Sequence, residues 1–201
     1  MTAKRATAWI IASVVFLGLV IRFYLHYKAG ESVWLALSVL YQYFTLWTNT
    51  LVFLVMASVA INRPTSKVLI LATAVSIAAV GIIFHGVLNP PGGQQGLDLL
   101  ANLITHTFAP VLCPLWWLVF HSKYDFQWKD SLPCLIFPAV YCVYAIIRAE
   151  FSGFYPYPFI NLQVLGIVGL VKSIAIISMA FLVLALSTIA ISKLRRKDAV
   201  D

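Results

Sequence analysis

Residues 164–192 read VLGIVGLVKSIAIISMAFLVLALSTIAIS, a stretch in which Lys172 is the sole charge. About 20 consecutive apolar residues in a helix cross the hydrocarbon layer of a bilayer, so this segment alone predicts a membrane span. The same pattern recurs upstream. Apolar runs bounded by charge, proline or glycine predict further helices at 7–27, 32–61, 68–89, 98–120 and 131–149. Six spans take up most of the 201 residues, leaving short loops and tails and no separate soluble domain. Composition agrees, with 62% hydrophobic residues, 10% charged residues and a mean hydropathy of +0.92, where soluble domains run near half apolar and a quarter charged. The expected fold is an all-α membrane protein, a single six-helix transmembrane domain over 1–201. The first span follows Lys4 and Arg5 as a signal peptide would, but it carries Arg22, is too long and lacks a small-residue cleavage site, so it reads as a retained helix.

The chain has 14 Lys and Arg against 7 Asp and Glu, a net charge of +7. Under six spans, Lys4, Arg5, Arg63, Lys67, Lys123, Lys129, Lys193, Arg195, Arg196 and Lys197 all fall on one side. By the positive-inside rule both termini are cytoplasmic, and the excess charge marks topology rather than a nucleic-acid surface. The other side then holds the loops near Lys28, near Pro90-Pro91-Gly92-Gly93 and near Tyr155-Pro156-Tyr157-Pro158. Cys113, Cys134 and Cys142 fall inside predicted helices without C-x-x-C or zinc spacing, so they read as small apolar residues and no metal site is expected. Trp116, Trp117 and Trp128 read as an inner aromatic belt.

Given that topology, the polar residues concentrate in the outer half. Arg22, His85 and Arg148 sit near outer helix ends, Asp98, Asn102 and His106 in the outer half of the fourth helix, Lys172 in the outer third of the sixth, and Thr45, Thr48 and Asn49 midway along the second. Ionisable groups at membrane depth need partners or water, so the clustering predicts a polar cavity that opens outward. Residues three and four apart share a helix face. Thr45, Thr48 and Asn49 form one such face with Tyr41 a turn earlier, and Asp98, Asn102 and His106 form another. A hydroxyl, an imidazole and a group that fixes the imidazole tautomer are the components of nucleophilic hydrolysis. The same residues also have structural readings: hydroxyls bond back to the preceding turn, and Asn, His, Arg and Lys join helices or reach to the interface. Arg22 suits that interfacial reading best, and His26 and His121, near helix ends, read as interfacial.

Three segments resemble the androgen-induced-protein family of six-span membrane proteins, whose animal members hydrolyse fatty acid esters of hydroxy fatty acids. They are Tyr43-Phe44-Thr45-Leu46-Trp47-Thr48-Asn49, then Thr105-His106-Thr107-Phe108-Ala109-Pro110 with Trp116-Trp117, and Arg148 with Tyr155-Pro156-Tyr157-Pro158-Phe159. Their order and spacing cover nearly the whole chain, and the short loops resemble the bacterial branch. The resemblance implies an intramembrane threonine hydrolase in a bacterial inner membrane, with Thr45 as nucleophile and His106 as base, without a cofactor. Asn161 stands where bacterial relatives look acidic and is assigned no role.

On this reading Thr48 or Asn49 donates to the oxyanion, Asp98 or Asn102 orients His106, and His85, Arg148, Tyr155, Tyr157 and Lys172 hold the substrate. The expected partners are the lipid bilayer and a membrane lipid or fatty-acyl ester, while the oligomeric state is not legible in the sequence. Two other readings use the same residues: a non-catalytic binder of amphiphiles, and an electron-transfer bundle holding haem between His85 and His106.

Overall fold

The computed structural model describes residues 1–88 and 92–197. Asn89, Pro90 and Pro91 lie outside the described residues, so the expected loop around Pro90-Pro91-Gly92-Gly93 is covered only in part. The described residues are helical, with eight α-helices: α1 (Ala3–Lys28), α2 (Val33–Leu40), α3 (Phe44–Ala60), α4 (Lys67–Ile83), α5 (Gly96–Leu103), α6 (Ala109–Phe120), α7 (Ile136–Ser152) and α8 (Leu162–Lys197). Wide π turns extend α4 over Phe84–Leu88 and join α5 to α6 over Ile104–Phe108, and a 3₁₀ segment, Trp128–Leu135, leads into α7. Five helical segments are long and apolar enough to cross a membrane, or six if the bent pair α2 and α3 counts as one.

That pair corrects the expected continuous second span. Between α2 and α3 the chain turns by 97° at Tyr41-Gln42-Tyr43, a segment with neither proline nor glycine. Backbone groups freed within an apolar bundle need partners, and aromatic side chains supply them. Trp47 Nε1 donates to the Tyr41 carbonyl (2.8 Å), the Tyr141 hydroxyl donates to the Gln42 carbonyl (2.7 Å), and the Tyr157 hydroxyl accepts from the Phe44 N–H (3.1 Å). Tyr41 therefore does not share the Thr45 face. Its hydroxyl is bonded to that of Thr50 (2.8 Å).

The core sits around α4, whose Ala72, Thr73, Ala74, Ser76, Ala79 and Gly81 are all buried. Small side chains let neighbouring helices approach closely, and α3, α6 and α8 pack around α4 while α1 packs on α3, α5 and α6. The last helix, α8, is peripheral. It begins at an Asn161 side chain that accepts from the Val164 N–H (3.2 Å), a helix cap, and kinks at Gly166, where φ is 63° and a side chain would be strained. Large apolar side chains cover much of the exterior, among them Ile10, Phe16, Val164 and Ile176. Soluble monomers rarely expose apolar surface on this scale. Trp116 and Trp117 correct the belt reading, since both are buried: Trp116 Nε1 donates to Thr7 Oγ1 (3.0 Å), and only Trp128 of the three is exposed.

Candidate functional site

The break at Tyr41–Tyr43 sets the environment of Thr45. Thr48 and Thr50 donate their hydroxyls to the carbonyls four residues back, those of Phe44 and Leu46 (both 2.8 Å), the usual fate of a threonine in an apolar helix. Thr45 lies in the first turn of α3, and the carbonyl four residues back is that of Tyr41, already taken by Trp47. Its hydroxyl makes no such back-bond among the described residues. Thr45 instead lines a cavity of about 430 Å³ together with His106, Arg22, His26, Gln94, Asn102 and Tyr157.

His106 reaches that cavity from the π turn between α5 and α6, and the cause of the turn is nearby in sequence. Pro110 has no N–H to give the His106 carbonyl four residues back, and its ring would crowd that carbonyl. The freed carbonyl accepts instead from Nε2 of His85, across on the π turn that extends α4 (3.1 Å). His85 Nε2 also lies 3.1 Å from Thr107 Oγ1. Two glycines make room for the turn. A Cβ at Gly18 of α1 would meet Ile104 Cγ2 at 2.5 Å, and one at Gly81 of α4 would meet Pro110 Cβ at 2.7 Å.

Hydrogen bonding fixes the imidazole tautomer of His106. Its Nδ1 lies 3.1 Å from Thr105 Oγ1 and 3.3 Å from the Asn102 carbonyl. Because the Thr105 hydroxyl gives its proton to the Ala101 carbonyl (2.8 Å), Nδ1 must be the donor. Nε2 then carries the lone pair, as a general base requires, and the ring is held in place by stacking on Phe84 at 3.8 Å. Asn102 thus orients His106 through its backbone carbonyl. Its side-chain oxygen accepts from Arg22 (3.3 Å), and Asp98 pairs with Arg22 (2.6 Å) rather than with the histidine.

Asn49 links the two halves of the site. Its amide nitrogen donates both protons, to the Thr45 carbonyl (2.8 Å) and to the Thr105 carbonyl (3.2 Å), which ties the first turn of α3 to the π turn that carries His106. With those protons committed, and the Thr48 hydroxyl bonded to Phe44, neither side chain has a donor left for an oxyanion. The groups that remain are the N–H of Thr45, at the positive end of α3, and the Tyr157 hydroxyl, which faces the Thr45 side chain and N–H. Burial pushes the Tyr157 phenol up to about 12, so it stays protonated and able to donate. Tyr157→Phe keeps the ring stacked on Phe159 but leaves the buried Phe44 N–H without its acceptor. It is expected to lower the stability of the purified protein by about 1 to 3 kcal/mol in thermal unfolding.

The other expected substrate contacts lie elsewhere. Arg148 reaches from α7 to Ser38 of α2 (3.3 Å) and to Ser152 (3.2 Å), clamping α2 to α7. Lys172 is exposed on α8, and Tyr155 turns away to donate to Glu150 (2.9 Å). None of the three lines the cavity, and neither does His85. Arg22, counted from sequence in the outer polar cluster, does line it, as does His26, read from sequence as interfacial and held by Glu31 (3.0 Å). The haem arrangement needs His85 and His106 to face one another across a porphyrin. Instead His85 bonds to the His106 backbone and the His106 ring lies against Phe84.

Apolar space adjoins the polar cavity. Thr45, Phe84, Leu88 and Tyr157 also line an inner pocket of about 70 Å³ walled by Phe44, Val80, Tyr141 and Phe181. That pocket shares Ile177 and Phe181 with two grooves on either side of α8, about 520 Å³ against α4 and about 190 Å³ against α7. Cys142 lies between the inner pocket and the α7 groove, whereas Cys113 and Cys134 are buried, and all three thiols are free. No family profile matches the chain, and neither a curated protein nor a solved structure matches it.

Proposed function

We propose that the chain is a multi-pass membrane hydrolase that cleaves an ester of an acyl lipid, such as a fatty acid ester of a hydroxy fatty acid, through Thr45. One observation carries the reading: Thr45, with no back-bond on its hydroxyl, and His106, with Nε2 unprotonated, line the same cavity. In the reaction Nε2 takes the Thr45 proton as Oγ1 attacks the ester carbonyl. The tetrahedral oxyanion accepts from the Thr45 N–H and the Tyr157 hydroxyl. Collapse breaks the ester bond, the departing alcohol takes the proton from His106, and water then attacks the acyl-threonine by the same route in reverse. The grooves beside α8 suit apolar chains that enter laterally from the bilayer. An active-site-directed fluorophosphonate tests this on the full chain in lipid nanodiscs. Covalent labelling that a long-chain ester protects against supports it, and absence of both labelling and turnover overturns it.

The accompanying topology is six spans, with α2 and α3 together making the second, and both termini on the cytoplasmic side of a bacterial inner membrane. It is supported by the ten basic residues at alternate loops and tails. With the native cysteines removed, a cysteine placed at Gly93 is expected to react with a membrane-impermeant maleimide from outside the cell. Reaction only from the cytoplasmic side sinks the orientation.

A further inference from the structure

At the end of the bundle opposite Thr45, a second polar cavity of about 370 Å³ opens between the starts of α1 and α4 and the ends of α3 and α6. Lys4, Arg5, Arg63 and Lys67 all line it. Along α3 the two cavities are about 20 Å apart, at 1.5 Å per residue.

Basic residues at one end of a bundle commonly mark topology alone, facing headgroups separately. Here four of them converge on a concavity, and their mutual repulsion is poorly offset. Among the described residues the carboxylate near them is Asp130, 3.9 Å from Lys67, which also donates to the Asp125 carbonyl, while the Asp125 side chain is taken by Arg196. Arg5 donates to the Ala60 carbonyl (2.9 Å), and the Lys4 ammonium rests over the Tyr124 ring. The guanidinium of Arg63, after the left-handed Asn62 (φ 63°), makes no hydrogen bond or ion pair among the described residues.

Two further features point to an anion. The N-termini of α1 and α4 meet at this cavity, with no acidic residue in either first turn and no side-chain cap on α1. Their partial positive charges and orphan N–H groups favour a negative ligand. His121 also lines the cavity, clamped between Trp116 and Tyr124, and its Nδ1 is buried without a hydrogen-bond partner among the described residues. Burial, then the nearby Lys4, pulls His121 down to about 4, so the ring is neutral at pH 7.

We propose that this cavity binds a phosphate group, gathered by Lys4, Arg63 and Lys67 with His121 at its floor. A phosphate offers several acceptor oxygens and concentrated negative charge, which matches the cationic donors Lys4, Arg63 and Lys67. The group can come from the headgroup of an anionic phospholipid in the adjacent leaflet or from free phosphate. The inference does not rest on the chemistry of Thr45.

Native mass spectrometry of the detergent-purified full chain separates the sources, with dioleoylphosphatidic acid, dioleoylglycerol and inorganic phosphate titrated in parallel. Phosphatidic acid is expected to bind and dioleoylglycerol not to. Binding of inorganic phosphate with similar affinity assigns the site to free phosphate, and binding of the lipid alone assigns it to a headgroup. The double variant Lys4→Ala/Arg63→Ala should weaken binding about tenfold or more. Lys123→Ala/Lys129→Ala, which removes two exposed charges outside the cavity, should leave it unchanged. Arg63→Gln alone, on an exposed loop, should show part of the loss and so guards against a folding defect. Equal losses in the two double variants, or equal binding of dioleoylglycerol, overturn the proposal.

Discussion

Thr45→Ala is expected to abolish ester turnover, by roughly a thousandfold or more, and His106→Ala to reduce it by roughly 10²- to 10⁴-fold, each measured with a long-chain ester in nanodiscs. The two act as one unit, nucleophile and base, so the double variant should be little worse than either single one. Folding sets the variants apart. Thr45 makes no back-bond, and its removal takes no hydrogen bond from α3, so Thr45→Ala should unfold at nearly the parent temperature. His106→Ala loses the Phe84 stack and the Nδ1 hydrogen bond to Asn102, and a modest drop is expected. Thr45→Ser keeps a hydroxyl in the cavity and should retain some turnover and fluorophosphonate labelling. Thr48→Ala should weaken turnover less, because that hydroxyl is bonded to the Phe44 carbonyl. Full turnover by Thr45→Ala would return the residue to a structural role and leave the cavity as a binding site for an amphiphile.

Hydropathy made the helical segments legible, and depth singled out Thr45 and His106, because length and polarity are properties of the chain itself. What it could not supply is which way each helix face turns. Arg148 and Lys172 have the right depth, but one clamps α2 to α7 and the other faces outward, a matter of packing against distant neighbours. The break before Thr45 left no local sign either. It has no proline or glycine, and its freed backbone groups are satisfied by Trp47, Tyr141 and Tyr157, the last more than a hundred residues away. The π turn at His106 was open to inference from Pro110, since a missing N–H must free a carbonyl. Its partner His85 was not, because another helix contributes it. The basic loop residues were counted for orientation, and their convergence on one cavity follows from how α1, α3, α4 and α6 pack.

Gly81→Ala is expected to destabilise the bundle and impair turnover together, whereas Gly86→Ala, five residues on, should do neither. In an exposed helix the exchange to alanine gains about 1 kcal/mol from backbone entropy, so the sign depends on what the new methyl meets. At Gly81 it would lie 2.7 Å from Pro110 Cβ and 3.4 Å from Pro110 Cγ. A proline ring has no rotamer with which to retreat, so α4 must move away from α6, and overpacking of that kind costs roughly 1 to 3 kcal/mol. Set against that gain, the net loss reaches about 2 kcal/mol, a fall of up to roughly 8 °C in thermal midpoint for a chain of this size. The same displacement pulls His85 from the His106 carbonyl, which Pro110 deprives of the usual donor four residues on. The carbonyl can recover a partner only by local rearrangement of the π turn, and that rearrangement turns the imidazole out of the cavity. At Gly86 nothing lies within 4 Å of the added methyl, so the midpoint should hold or rise by a few degrees and turnover should stay close to the parent value. If Gly81→Ala loses stability but keeps full turnover, the contact between α4 and Pro110 supports packing without positioning His106.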